Sequence, residues 1–319
     1  MTEPVRLFSL IGMDVYPYGL CVAAAALLAC ALLCALAKGR FGDTAEGLRL
    51  ALWLLPVGLL FSRLFYLLIR LRFIVVDYAP DFWYSAWLGG YSLAGASVGS
   101  VLGALFYART SGRNVADALD IATPPALLLL AGVRLAEVFT LDGVGLYVEN
   151  EALWRFPFAV PNSYGEYVMP VFAYEAVAAL LLCAGLLCWM RRAGRRRGDA
   201  VLMAMLLAGL SQVLLESLRA DDFLRFGFVR VNQLWGVLLA GVALFGWLAR
   251  SRPSRGRVSA VVAAFVICVL VLVACEFGLD KSAIPNGILY GAMAAVLLAI
   301  GVLALRLRAA GERRVGRGA

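Results

Sequence analysis

Arg134 and Glu137 lie three residues apart in PPALLLLAGVRLAEVFTLD (residues 124–142), an apolar run of helical length. That spacing puts both side chains on one helical face. A charge in the hydrocarbon layer costs at least about 2.5–3.5 kcal/mol on insertion scales, so such groups face a bundle interior or a wet cavity. Arg63 stands in GLLFSRLFYLL and Glu175 in PVFAYEAVAAL. Gln212 and Glu216 lie four apart in LSQVLLESLR, with Arg219 one turn on, and Asn232 and Gln233 open a further apolar run. Arginine's planar fork suits phosphate, and phospholipid headgroups supply phosphate at membrane depth. The chain contains no histidine. Acid–base work at such a site therefore falls to carboxylates, and histidine metal sites are excluded.

Two readings of these charges stand side by side. In one they are internal salt bridges, Arg134 with Glu137 and Glu216 with Arg219. In the other they line a polar cavity for a lipid headgroup. Three acids and two arginines at similar depth, near aromatic outer loops, favour the cavity.

The elements that must position these groups are membrane helices. Hydrophobic residues make up 63% of the 319, and mean hydropathy is +0.86, which marks an integral membrane protein. A spanning helix needs about 20 mostly apolar residues. The expected spans are roughly 16–37, 48–69, 89–108, 121–140, 170–190, 199–218, 232–249, 258–277 and 286–306, nine in all. The fold class is all-α, a polytopic membrane helix bundle. The first run has only Arg6 before it and Lys38 and Arg40 after it. That is the reverse of a secretory signal peptide, so it reads as a retained span.

The net charge of +8 comes from 29 basic and 21 acidic residues, most of the basic ones in short loops. This is positive-inside patterning and excludes nucleic acid as a partner. The loops after spans one, three, five and seven, with the C-terminal tail, hold 19 basic residues against 8 on the other side. The N-terminus is therefore expected outside and the C-terminus in the cytoplasm. The seven cysteines lie in or beside apolar runs without a CxxC pair, which excludes disulfides and metal ligation. No metal or cofactor is expected.

Two outer segments are rich in aromatics. One is the loop 141–169, with Trp154, Phe156, Phe158, Tyr164 and Tyr167; the other is DYAPDFWYSAW, residues 77–87. They read equally as a cap over the outer leaflet or as an interfacial belt. Gly95, Gly99 and Gly103 are spaced by four, a small-residue face for close helix approach. The GGYS sequence from Gly89 to Ser92 could free backbone N–H groups for an anion at a helix start. The break at SRPSRGR (251–257) divides the chain into a core, 1–250, and an accessory hairpin with a basic cytoplasmic tail, 251–319. That final pair of spans reads as short of intramembrane charge.

Order and spacing over about residues 15–250 resemble the bacterial prolipoprotein diacylglyceryl transferases. The resemblance is carried by YPYGL (16–20), by SRLFY (62–66) with Arg63 and Tyr66, and by GGYSLAG (89–95). Asp120 and Pro124 precede Arg134 as in the family signature. PVFAYE (170–175) keeps Tyr174 and Glu175, ESLR (216–219) follows, and Asn232 and Gln233 stand where the family has Gly-Gln. The pattern departs at Ala94, where the family has histidine, at Glu137, where it has asparagine, and at Ala208 and Gln212, where tyrosine and arginine stand.

The resemblance implies a bacterial plasma (inner) membrane enzyme. It would move the diacylglyceryl group of phosphatidylglycerol to the lipobox cysteine thiol of a prolipoprotein, releasing glycerol 1-phosphate. Its partners would be that lipid or another anionic phospholipid, the prolipoprotein signal peptide and the surrounding membrane lipids. Arg134 would hold the lipid phosphate and stabilise its departure. Glu137 or Glu216 would take the thiol proton in place of the histidine. Arg63, Tyr66, Gly90, Ser92, Gly95, Tyr174, Glu175, Gln212, Arg219 and Gln233 would bind or position lipid and substrate. The alternative is a catalytically degenerate paralogue that binds phospholipid without transfer.

Overall fold

The structure, a computed structural model, describes residues 7–10, 13–77, 83, 89–162, 164–191, 196–220, 224–227 and 229–315. Among the described residues, nine long helices stand at the nine expected positions. They are α1 (Pro17–Phe41), α2 (Ala45–Ile69), α4 (Leu93–Ser111), α5 (Val115–Ala136), α6 (Val171–Met190), α7 (Asp199–Ser217), α8 (Val231–Arg250), α9 (Arg255–Lys281) and α10 (Asn286–Val315), with a short α3 (Leu71–Asp77) after α2. Eight of them are long and apolar enough to cross a membrane; α4 is the exception. Its glycines and serines dilute the apolar run. It also starts later than the hydropathy suggests, because Ser92 is extended and caps it, accepting from Gly95 N. The protein is thus an all-α, multi-pass membrane protein. Among the described residues the strands are three short antiparallel ribbons, β1–β2 (Phe8–Leu10, Met13–Val15), β3–β4 (Val160–Pro161, Tyr167–Val168) and β5–β6 (Arg225–Phe226, Val229–Arg230).

The chain forms two compact units. The first comprises Met1–Tyr18, Arg134–Leu182 and Leu202–Ala319, the second Gly19–Val133 and Cys183–Val201. Lipid gives helices no hydrophobic reason to associate, so small residues that admit close contact decide the pairing.

In the second unit, the glycine face of α4 lies on the backbone of α2. A Cβ at Gly95 would strike Phe61 O, one at Gly99 would sit 2.5 Å from Val57 O, and one at Gly103 would sit 2.8 Å from Trp53 O. On α1 the buried residues are Ala25, Ala29, Leu33 and Ala37, a four-residue period that makes one face. Leu33 and Ala37 join a core with Leu50, Ala104, Tyr107, Ala118 and Ile121. Charges expected in inner loops pair at the ends of these helices. Arg40 and Arg197 meet Asp117 at 2.5 and 3.4 Å, and Tyr107 donates to Glu46 at 2.6 Å.

In the first unit, α7 and α8 meet glycine to glycine: a Cβ on Gly236 would lie 2.7 Å from Gly209 O. The α9–α10 hairpin packs on the same unit. Phe265 stands edge-on to Phe245 with centroids 5.5 Å apart, and Leu210 fits over Gly301.

Candidate functional site

Non-helical backbone at the ends of several helices builds the site of the first unit. The chain leaves α5 after Ala136, makes a single 3-10 turn over Glu137–Phe139, and reverses at Gly143, whose φ is +67. Gly143 O accepts from Phe172 N at 2.8 Å, Gly145 N donates to Met169 O at 2.7 Å, and Ala220 N donates to Val144 O at 3.0 Å. Gly145 also forms a bridge with Arg219. Segment 143–145 is thereby held between the start of α6 and the end of α7. Irregular backbone at membrane depth is tolerated only when protein buries it in this way.

This arrangement gathers the charged side chains. Arg134 Nη1 donates to Glu137 Oε1 at 2.6 Å, and Arg134 Nε lies 2.9 Å from Glu175 Oε2. The same Glu175 oxygen accepts from Arg219 Nη1 at 3.1 Å. Gln212 Nε2 joins Glu175 Oε1 at 3.2 Å to Glu216 Oε2 at 2.8 Å. Asn232 Nδ2 also donates to Glu216 Oε2, at 3.2 Å, and Arg230 Nη1 lies 3.9 Å from Glu216 Oε1. Gln233 closes the chain, donating to Glu276 Oε1 on α9 at 2.6 Å. Glu216 is wholly buried, and Glu137, Glu175, Arg219, Arg230, Asn232 and Gln233 are buried with it.

The Arg134–Glu137 pair of the salt-bridge reading forms, and Glu175 adds a second carboxylate to Arg134. Arg134 still keeps Nη2 without a partner among the described residues. Two buried carboxylate oxygens, Glu137 Oε2 and Glu216 Oε1, receive no hydrogen bond among the described residues. Glu137 Oε2 abuts Gly143, at the place a Cβ there would need. The site thus offers a guanidinium edge for an oxyanion and two carboxylate oxygens able to take a proton.

Of the other expected residues in this unit, Tyr174 turns to the 141–169 loop, its hydroxyl donating to Pro157 O at 2.8 Å. That loop is ordered by the β3–β4 ribbon and by Trp154 stacked on Tyr167, centroids 4.5 Å apart and planes 5° from parallel. Tyr164 and Phe156 stand well exposed. The second aromatic segment, 77–87, lies almost wholly outside the described residues.

The second unit holds a smaller constellation. Arg63 donates to the carbonyls of Gly89 and of Gly90, the latter at 3.1 Å, and its guanidinium lies 5.9 Å from the Tyr91 ring centroid. A Cβ at Gly90 would strike Arg63 Nη1 and the ring of Tyr66. Ser92 N donates to Ser62 O, and Ser62 Oγ returns the bond to Ser92 O at 2.8 Å. Ser92 and Gly95 thus spend their N–H groups inside the chain, and Gly90 offers Arg63 a carbonyl. Ala94, at the family's histidine position, is buried in the first turn of α4. Asp120 accepts from Gly198 N and Val201 N at 2.7 and 3.0 Å, which satisfies free N–H groups at the start of α7.

Sequence reasoning passed over Glu276, Arg230 and Gly143. Glu276 was legible as the acid in VLVLVACEFGLD, within an otherwise apolar span. The reading of the last two spans as short of intramembrane charge therefore needs correction. Among the described residues, no group of three or more His, Cys, Asp or Glu could hold a metal ion.

A family model for prolipoprotein diacylglyceryl transferase matches residues 5–249. The chain belongs to the prolipoprotein diacylglyceryl transferase family. It is 28% identical over 231 residues to a phosphatidylglycerol–prolipoprotein diacylglyceryl transferase of Streptococcus pneumoniae, covering 71% of this chain and 86% of the relative. It is 29% identical over 258 residues to the protein of that name from Synechococcus elongatus, covering 75% and 86%. With the one from Oceanobacillus iheyensis, identity is 26% over 256 residues, covering 77% and 87%. These values mark a divergent member. The transferase family match takes in every charged residue of the buried chain except Glu276.

Proposed function

We propose that this protein transfers the diacylglyceryl group from phosphatidylglycerol to the lipobox cysteine thiol of prolipoproteins. The cysteine sulfur bonds to the glyceryl carbon that carries the phosphate. The carbon–oxygen bond to that phosphate breaks, and glycerol 1-phosphate leaves with the electron pair. The thiol proton passes to a carboxylate, Glu137 or Glu216.

The observation that carries this reading is the buried chain from Glu137 to Glu216, within which Arg134 Nη2 has no partner among the described residues. Buried ion pairs add little net stability, and apolar side chains of equal volume hold helices as well or better. A set of three arginines and three glutamates among membrane helices is therefore retained for a charged ligand rather than for packing. Arginine in a water-poor site stabilises charge that develops on a leaving phosphate. A carboxylate oxygen without a hydrogen-bond donor is a base available to a thiol. The names of the relatives point to the same lipid and acceptor.

In this reading Arg219, Gln212 and Gln233 hold the acids in place. Arg63, Tyr66, Gly90, Ser92, Gly95 and Tyr174 shape the lipid and substrate surroundings. Residues 1–250 form the transferase core and 251–319 an added hairpin and basic tail. The N-terminus lies outside and the C-terminus in the cytoplasm.

Expression in a bacterium depleted of its own transferase tests the proposal. The mass of a reporter lipoprotein should rise by one diacylglyceryl group. A chain that accumulates in the membrane yet leaves that mass unchanged would instead be the lipid-binding, inactive paralogue.

A further inference from the structure

Glu276 lies on α9, beyond residue 249 where the family match ends. Its Oε1 accepts from Gln233 Nε2 at 2.6 Å. The other end of that amide is also engaged: Gln233 Oε1 accepts from Arg230 N at 3.3 Å. A side-chain amide has one accepting and one donating end. Were the Gln233 amide reversed, its oxygen would face the Glu276 oxygen and its NH2 would face Arg230 N–H. Gln233 Nε2 also donates to Val213 O, at 3.5 Å, so Glu276 supplies the shortest of three contacts that fix which way the amide points.

That orientation matters to the site. Gln233 caps the first turn of α8, where Arg230 and Asn232 converge on Glu216 at 3.9 and 3.2 Å. Arg230 Nη2 also donates to Arg219 O at 2.7 Å. The hairpin that brings Glu276 is anchored on its own account. A Cβ on Gly278 would lie 3.2 Å from the Leu289 methyls, and Tyr290 donates to Ser217 O, beside Glu216, at 3.2 Å.

We infer that Glu276 is a positioning residue for the transfer reaction, acting through Gln233 to hold Arg230 and Asn232 on Glu216. The inference rests on the transferase reading. It makes the C-terminal hairpin part of the site, a role that residues 5–249 alone do not supply.

Purified wild type, Glu276→Gln, Glu276→Leu, Gln233→Leu and the double Leu variant test this with phosphatidylglycerol and a lipobox peptide. E276Q keeps an acceptor for Gln233 and should retain activity within about threefold of wild type, whereas E276L should lose about tenfold or more in kcat, the scale of a misplaced reacting group. The KM for the lipid should change less than about twofold, since the groups facing the phosphate are untouched. The double variant should be no slower than Q233L alone, because both changes break one linkage.

A purely structural role would lower the yield or the thermal midpoint and leave kcat per folded molecule unchanged. That result, equal losses in E276Q and E276L, or additive losses in the double variant, would overturn the inference while leaving the transferase reading intact. Should E276L not accumulate, Glu276→Asn withdraws the acceptor by one methylene and is read by the same outcomes. An inactive wild type overturns the transferase reading and this inference with it.

Discussion

Arg134 Nε lies 2.9 Å from Glu175 Oε2, tying the last turn of α5 to the start of α6. The same oxygen holds Arg219 Nη1 at 3.1 Å. One carboxylate thus compensates two guanidinium groups, with 4% of the Glu175 side chain exposed and 11% of Arg134. Removing one partner of a buried pair strands the other charge, which costs about 3–5 kcal/mol. Glu175→Ala should therefore lower the thermal unfolding midpoint in detergent sharply and abolish lipid transfer. A variant with wild-type melting would show that Glu175 does not carry this load.

Gly143 separates a conformational cost from a site cost. Its φ of +67 disfavours any side chain, and a Cβ would drive into Glu137 Oε2. Gly165 has φ +80 but nothing within 4 Å of a Cβ. Each Gly→Ala change should cost about 1–2 kcal/mol from the left-handed backbone. Only Gly143→Ala should also displace Glu137 and reduce transfer, by about tenfold or more for a shift of the order of 1 Å. Equal activities of the two variants would contradict the placing of Glu137.

The α2–α4 contact is tested by bulk. At Gly99 a Cβ meets Val57 O at 2.5 Å and Gly58 Cα at 2.8 Å, whereas at Gly185 nothing lies within 4 Å. Gly99→Val should destabilise by about 1–3 kcal/mol or more through overpacking, seen as reduced membrane accumulation and a lower melting point. Gly185→Val should accumulate as wild type does.

The helices were legible because hydropathy and length are set residue by residue. All nine stand where the apolar runs are, and α4 falls short of the others for the reason visible in GGYSLAGASVGS, its small and polar residues. Arg134, Glu137, Glu175, Gln212 and Glu216 were legible because the bilayer makes each costly unless it is partnered. Their partnerships were less so. The i,i+3 pair of Arg134 and Glu137 follows from helix geometry. The sharing of Glu175 between Arg134 and Arg219 depends on how three helix ends are brought level by segment 143–145, which no periodicity records. Gly143 looks like any loop glycine until its neighbour Glu137 Oε2 is seen. Glu276 sits in the most apolar hairpin of the chain, and its meaning comes only from Gln233, distant in sequence.

The orientation drawn from basic residues has its own test. A periplasm-active phosphatase fused after Ala319 should be inactive and a fluorescent protein there should glow. Fusion into the 141–169 loop should give an active phosphatase. The reverse pattern would place the candidate site at the cytoplasmic leaflet, where exported prolipoproteins do not present a translocated lipobox.

The central claim is that Arg134 serves a lipid phosphate. The direct measurement is transfer by the purified full chain from phosphatidylglycerol to a lipobox peptide, comparing wild type with Arg134→Ala and with Arg134→Lys, followed by peptide mass and released glycerol phosphate. Wild type should produce both in equal amounts. R134A should lose about a hundredfold or more, the scale of removing a transition-state donor, and R134K should recover little, since an ammonium cannot hold Glu137, Glu175 and a phosphate from one planar fork. Transfer by R134A at the wild-type rate would contradict the account.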